Sequence, residues 1–227
     1  MSDQSWIKLQ AALMLAGTVG LYFGLPLWIL LAMAAASFLL YLLTNRERLL
    51  KHKPWGGYAN LVTLARLALL LLAGSQFAKW HDYGLFAAFL VVVVSDGIDG
   101  YLARKYRQTT ELGSQLDIET DALLCLVLAS VHYVQGTASA WVLLAGSLRY
   151  IYVWGLYAGG MEQIEAPPQP YARLIGILFI SSLLGPFVAP LWLAVPVLVL
   201  GCILVGGSFL RSFYGKWRAK QAVDAKH

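Results

Sequence analysis

The sequence predicts an all-α integral membrane protein of about eight spans, and three observations carry that prediction. Hydrophobic residues fill 59% of the 227 positions and charged residues only 13%, about half the ~25% typical of soluble domains. Mean hydropathy is +0.65. The apolar residues are gathered into runs close to the ~20 residues that a helix needs to cross the hydrocarbon of a bilayer. The net charge of +5 sits between those runs, where basic loops meet anionic lipid. A membrane surface therefore accounts for the charge, and no nucleic-acid partner is expected.

Taken in order, the chain opens on apolar runs at 8–24 and 27–44, separated by the turn Leu25-Pro26. Only Lys8 precedes the first apolar core, and hydrophobicity resumes directly after the turn. A helical hairpin fits this pattern better than a cleaved leader does. Residues 45–57 then carry Arg46, Arg48, Lys51 and Lys53 among Leu49, Leu50 and Trp55. Such a segment lies in the membrane interface or forms a solvated loop. Further runs follow at about 59–78, 84–103, 114–135, 139–158, 171–189 and 191–212. Pro186 and Pro190 mark the last turn, and Pro196 is placed to kink the last helix. Three segments result: an N-terminal hairpin with its basic segment over 1–58, a six-helix core over 59–214, and a basic tail over 215–227.

An inside N-terminus puts Arg46, Arg48, Lys51, Lys53, Arg104, Lys105, Arg107, Arg173 and the basic tail on one face, and only Lys79 on the other. Both termini are then expected in the cytoplasm. Cys125 and Cys202 lie within apolar runs, so they are expected to pack and not to form a disulfide framework.

Composition does not explain the stretch from Asp96 to Asp121. It reads Asp96-Gly97-Ile98-Asp99-Gly100-Tyr101-Leu102-Ala103-Arg104, then eight residues, then Gly113, Asp117 and Asp121. Four carboxylates thus stand at the ends of two apolar segments, where each unpaired charge costs roughly 2.5–3.5 kcal/mol on insertion scales. Asp96 and Asp99 are three apart, and Asp117 and Asp121 are four apart, so each pair shares one face of a helix. Two such helices face to face would present an oxygen-only site, which favours magnesium, manganese or calcium over zinc. Two ions about 3.5–4 Å apart would suit four carboxylates. Gly100 and Gly113 clear space beside the acids, and Arg104 offers a planar cation suited to phosphate. The simpler alternative is ion pairing at the helix ends, with Arg104 and Arg107 as the cations.

The pattern Asp-x2-Asp-Gly-x2-Ala-Arg-x8-Gly-x3-Asp-x3-Asp resembles the signature of the CDP-alcohol phosphotransferases at every defined position. Over Asn60-Leu61-Val62-Thr63-Leu64-Ala65-Arg66-Leu67, the chain is similar to the family's first core helix, with Ala59 where the family often has proline. The resemblance implies a core of six membrane helices. It also implies transfer of a substituted phosphate from a CDP-alcohol, most often CDP-diacylglycerol, to an alcohol acceptor with release of CMP. Two magnesium or manganese ions would be held by Asp96, Asp99, Asp117 and Asp121, and Asp121 would be the general base. Gly100, Ala103, Arg104 and Gly113 would bound the nucleotide pocket, supported by Asn60 and Thr63, although helix capping is the simpler role for Asn60. A homodimer in the membrane is implied as well.

The remaining polar residues bear on the acceptor. Arg149 lies within an apolar run beside Tyr150 and Tyr152, and an intramembrane arginine marks function unless an internal acid pairs with it. Arg173 follows the loop Pro167-Pro168-Gln169-Pro170 and serves either as a positive-inside anchor or as an anion ligand. Together these arginines favour glycerol-3-phosphate over inositol phosphate, serine or phosphatidylglycerol. Glu119 points away from the aspartate face and is expected at the interface. His132 is expected to pack or to find a partner. The rival class is a divalent-metal transporter using the same acids as an ion path, but it leaves the glycines, Ala103 and Arg104 without a purpose.

Overall fold

A computed structural model describes residues 2–50, 57–105, 110–164 and 170–224, with the side chains of residues 50, 58–59, 98–105 and 223–224 outside the description. The elements are α1 (Asp3–Tyr22), α2 (Leu27–Thr44), α3 (Arg46–Leu50), α4 (Tyr58–Ser75), α5 (Asp82–Lys105), α6 (Glu111–Val134), α7 (Trp141–Ala158), α8 (Ala172–Leu184) with a 3₁₀ turn at Gly185–Phe187, and α9 (Leu191–Asp224). There is no strand among the described residues.

Helix α6 is the hub. It packs against α1, α2, α4, α7 and α8, and Leu123, Leu126, Val127, Leu128, Ala129 and Val131 are fully buried. A stretch that is apolar on all sides, as its second half is, belongs in the interior of a bundle. Its start is set by Thr110, whose Oγ1 accepts from the Gly113 amide at 3.0 Å and so satisfies one of the orphan donors of the first turn. Its approach to α7 depends on Gly146, where a Cβ would come within 2.6 Å of Ala129 Cβ.

The hairpin of α1 and α2 packs on α7, α6 and α4 and so belongs to the same bundle. The Trp6 ring stacks on Tyr41 with centroids 3.9 Å apart, and its indole N–H donates to the Ser37 carbonyl at 3.1 Å. Helix α1 begins at Asp3, earlier than its apolar run, because Ser2 caps it. The two charges of its first turns also find partners. Asp3 pairs with Arg48, and Lys8 pairs with Glu162 at 2.7 Å. At the other end, α9 continues through Pro196 to Asp224. Most of the expected tail is therefore helical, because the helix continues beyond the end of the apolar run.

By length and apolarity, Leu27–Thr44 and Leu191–Ala222 can each cross a membrane. Asn60–Ser75 and Ala172–Phe187 are shorter apolar helical stretches. The outer faces are apolar too. Leu43, Val91, Val94, Leu144, Ile177 and Ile203 are all exposed, as the lipid-facing side chains of a membrane protein would be. Cys125 and Cys202 are free thiols.

Candidate functional site

Three helices bring their polar residues together at one point. Asn60, Thr63 and Arg66 recur every third residue along α4, and all three are buried. Arg66 enters between α5 and α6 with its side chain only 1% exposed. Its Nη1 lies 2.8 Å from Asp117 Oδ1 and 3.0 Å from Asp96 Oδ1. Its Nη2 donates to Asp121 Oδ1 at 2.7 Å, and its Nε donates to the Val92 carbonyl at 3.1 Å. All three guanidinium nitrogens are thus committed, and the planar fork fixes the acids relative to one another.

The acids converge as their spacing requires. Asp117 and Asp121 sit one turn apart on α6 and reach the same guanidinium, while Asp96 approaches from α5. One oxygen from each of the three carboxylates lies within 4.8 Å of the others. Arg66 forms the floor of this cluster. The acids stand above it with side chains 39–43% exposed, open to a ligand. Among the described residues, these three carboxylates gather around one guanidinium. An accessible, oxygen-only acidic donor set fits a magnesium or manganese ion.

Arg66 is the residue whose role the sequence did not reveal. The sequence pointed to Arg104, Arg107 or metal alone as counter-charge, whereas the structure supplies a cation from a helix 30 residues earlier than Asp96. The available signal was an arginine inside an apolar helix in a chain with unpaired acids elsewhere. The backbone of Asp99, Gly100, Ala103 and Arg104 belongs to α5, but their side chains lie outside the described residues, as does Arg107.

Gly113 has a clear steric purpose. A Cβ there would run into Asn60 Oδ1, so the missing side chain lets the Asn60 amide lie against the start of α6. Capping does not account for Asn60: the cap of α4 is Gly57, with φ 114°. Thr63 is one turn further along the same buried face.

Two further sequence expectations change. Glu119 is fully buried and not interfacial. It is also the partner of Arg149, whose Nη2 and Nε donate to Glu119 Oε1 at 2.9 and 3.3 Å. Among the described residues, Arg149 therefore pairs with an acid from the motif region that is not a motif aspartate. Arg173 lies in the first turn of α8 and is exposed, with no ion-pair partner among the described residues. His132 is buried, with Nε2 2.6 Å from the Leu183 carbonyl, which accounts for it as a packed and partnered residue.

Comparison with known proteins points to the same residues. A family model described as CDP-alcohol phosphatidyltransferase matches residues 57–206, which span α4 to α8 and much of α9. The chain is 28% identical over 137 residues to the CDP-diacylglycerol–inositol 3-phosphatidyltransferase of Candida albicans, covering 58% of this chain and 56% of that protein. It is 34% identical over 80 residues to the CDP-diacylglycerol–glycerol-3-phosphate 3-phosphatidyltransferase of Escherichia coli, covering 33% of this chain and 44% of that one. The chain thus spans about half the length of the curated relatives it matches. No solved structure matches it significantly.

Proposed function

The chain belongs to the CDP-alcohol phosphatidyltransferase family, and from that premise we propose that it transfers a phosphatidyl group from CDP-diacylglycerol to an alcohol acceptor, releasing CMP. The observation that carries this reading is the carboxylate cluster of Asp96, Asp117 and Asp121, half open above a buried guanidinium. A pyrophosphate substrate adds still more negative charge, so the site requires divalent cations. Asp99 completes the set of four acids in this proposal.

A divalent ion held by these acids would neutralise the pyrophosphate and stabilise charge on the departing CMP. The chain's own residues supply the rest. Arg66 fixes Asp117 and Asp121 in one orientation, so the acids need not reorganise as charge develops. Asp121 commits Oδ1 to Arg66 and offers Oδ2 to the acceptor hydroxyl, from which it takes the proton as that oxygen attacks phosphorus. Gly100, Ala103, Arg104 and Gly113, with Asn60 and Thr63 beneath, bound the nucleotide.

The apolar outer faces of α2, α5, α7, α8 and α9 support a protein embedded in lipid, and the proposal includes eight spans and a homodimer. In this arrangement the hairpin of residues 1–58 precedes a core of 59–214, and both termini and the acids face the cytoplasm. Glycerol-3-phosphate is the proposed acceptor, bound by Arg149 and Arg173. The Candida relative named as an inositol 3-phosphatidyltransferase favours inositol as a second acceptor to test. The deciding experiment presents purified protein with labelled CDP-diacylglycerol and glycerol-3-phosphate, inositol, inositol phosphate, serine or phosphatidylglycerol, with and without chelator. CMP release with glycerol-3-phosphate is expected, lost on chelation and restored by magnesium or manganese. No CMP with any acceptor, or full activity in excess chelator, would overturn the reading.

A further inference from the structure

Helix α9 is longer than the hydrocarbon of a bilayer is thick. Its 34 residues rise about 51 Å, against ~30 Å of hydrocarbon. Two exposed tryptophans bracket its apolar run, Trp192 near one end and Trp217 beyond the other. They stand about 37 Å apart along the helix axis, which is the separation of the two interfaces where tryptophan and tyrosine gather. The part of α9 around Trp217 therefore runs at head-group level, in the leaflet that the end of α9 faces.

This part has two unlike faces. The inner face is held against α7 by three contacts. A Cβ on Gly155 would come within 3.2 Å of the Phe213 ring. The Tyr152 hydroxyl lies 2.9 Å from Ser212 Oγ, and Lys220 Nζ donates to the Gly159 carbonyl at 2.6 Å. Gly159 caps the C-terminus of α7, so Lys220 is spent on a carbonyl that has no partner within that helix. The outer face carries Tyr214, Trp217 and Arg218, all exposed. The Tyr214 and Trp217 rings stack with centroids 5.8 Å apart, and the Arg218 guanidinium carbon lies 5.7 Å from the Tyr214 ring centroid. This contact holds a cation beside the aromatic pair. Exposed Ile203 and Leu210 continue the same face toward the hydrocarbon. From Ser208 to Ala222 the sequence has four basic residues and no acidic one. An apolar strip that ends in an aromatic pair and an arginine matches the parts of a phospholipid in order.

We propose that this face of α9 is a binding site for an anionic phospholipid, with its chains along Ile203 and Leu210, its glycerol region at Tyr214 and Trp217, and its phosphate on Arg218. An anionic head group is preferred because a choline head group brings its own cation to the guanidinium. The inference rests on the lipid-embedded arrangement proposed above. The test places the full chain in bilayers of phosphatidylcholine and phosphatidic acid, with the chains of one lipid brominated at a time. The difference in fluorescence quenching between wild type and Trp217→Phe isolates Trp217. One cation at the membrane surface corresponds to about a fivefold preference, so phosphatidic acid should be enriched at Trp217 by about that factor. Arg218→Gln, made with and without Trp217→Phe, should remove most of the preference. Arg218→Lys should keep it, and high salt should reduce it. Equal quenching of Trp217 by the two lipids in wild type, or a preference undiminished in Arg218→Gln, would overturn the proposal while leaving the protein in lipid. If neither brominated lipid quenches any tryptophan, the lipid-embedded reading fails and this site fails with it.

Discussion

Helix α6 carries an arginine–carboxylate cluster on each of two opposite faces, and the two are built to opposite designs. Toward α4 and α5, one guanidinium holds three carboxylates that remain 39–43% exposed. Toward α7, one guanidinium holds one carboxylate that is fully buried. The first cluster is rich in acids and open, while the second is a one-to-one pair closed on its acidic side. An open acidic cluster can take a cationic ligand. A balanced buried pair is completed by the fold, and its cost in desolvation is tolerated only when both partners stay together.

The sharpest way to break this comparison is to change charge on the open side without changing shape. Asp121→Asn removes the proposed base but leaves Asp96 and Asp117 to hold metal. Turnover should fall by about 10²–10⁴-fold, the usual share of a general base, while CDP-diacylglycerol binding persists. CMP release across a magnesium titration checks this. Full recovery at saturating metal would make Asp121 a ligand only, and unchanged turnover would remove it from the chemistry.

A smaller effect compares the two arginines directly. Arg66→Leu and Arg149→Leu each break a buried ion pair, which costs roughly 3–5 kcal/mol. They should differ in rescue. Magnesium or manganese can replace the lost cation among three accessible carboxylates, so the unfolding midpoint of Arg66→Leu should rise with added metal. Arg149→Leu leaves Glu119 buried on all sides, and metal should not rescue it. Equal metal response in both variants, measured by thermal unfolding in detergent, would erase the distinction between open and closed clusters.

The sequence displayed one cluster far better than the other. Spacings of three and four put Asp117 and Asp121 on one face, and that geometry is local, so it survives into the fold. Arg66 answers them across 51 and 55 positions, a distance set by how α4 packs against α5 and α6, which no local pattern encodes. Glu119 shows the same limit. The helical offset turned it away from the aspartates, but whether it then met lipid head groups or an arginine depended on α7. Helix ends were obscured for a different reason. Hydropathy marks the apolar run and not the helix: α1 begins before its run on a cap and ion pairs, and α9 continues past its run to Asp224.

The smallest predicted effect lies at the margin of both clusters. Arg48 donates from Nη1 and Nη2 to the two oxygens of Asp3 at 2.7 and 3.2 Å, while the Tyr41 hydroxyl donates to the same carboxylate at 2.9 Å. Arg48 is 40% exposed and its second acid, Glu111, is 90% exposed at 3.9 Å, so screening by water limits the pair. Arg48→Ala should therefore cost no more than about 1 kcal/mol. The hydrogen bonds from Arg48 hold the Asp3 carboxyl below its ordinary range against an opposing effect of burial. A depressed folded value means that the stabilisation is fully present above the unfolded carboxylate pKa of about 3.9. It is lost as pH falls through the lower folded value. Unfolding curves of wild type and Arg48→Ala should thus differ slightly at neutral pH and converge in acid. The metal titration of CMP release should be the same in both, because Arg48 touches neither cluster on α6. A loss of several kcal/mol, or a shifted metal titration, would mean that the N-terminal hairpin is coupled to the open site, and the two faces of α6 could no longer be treated as separate.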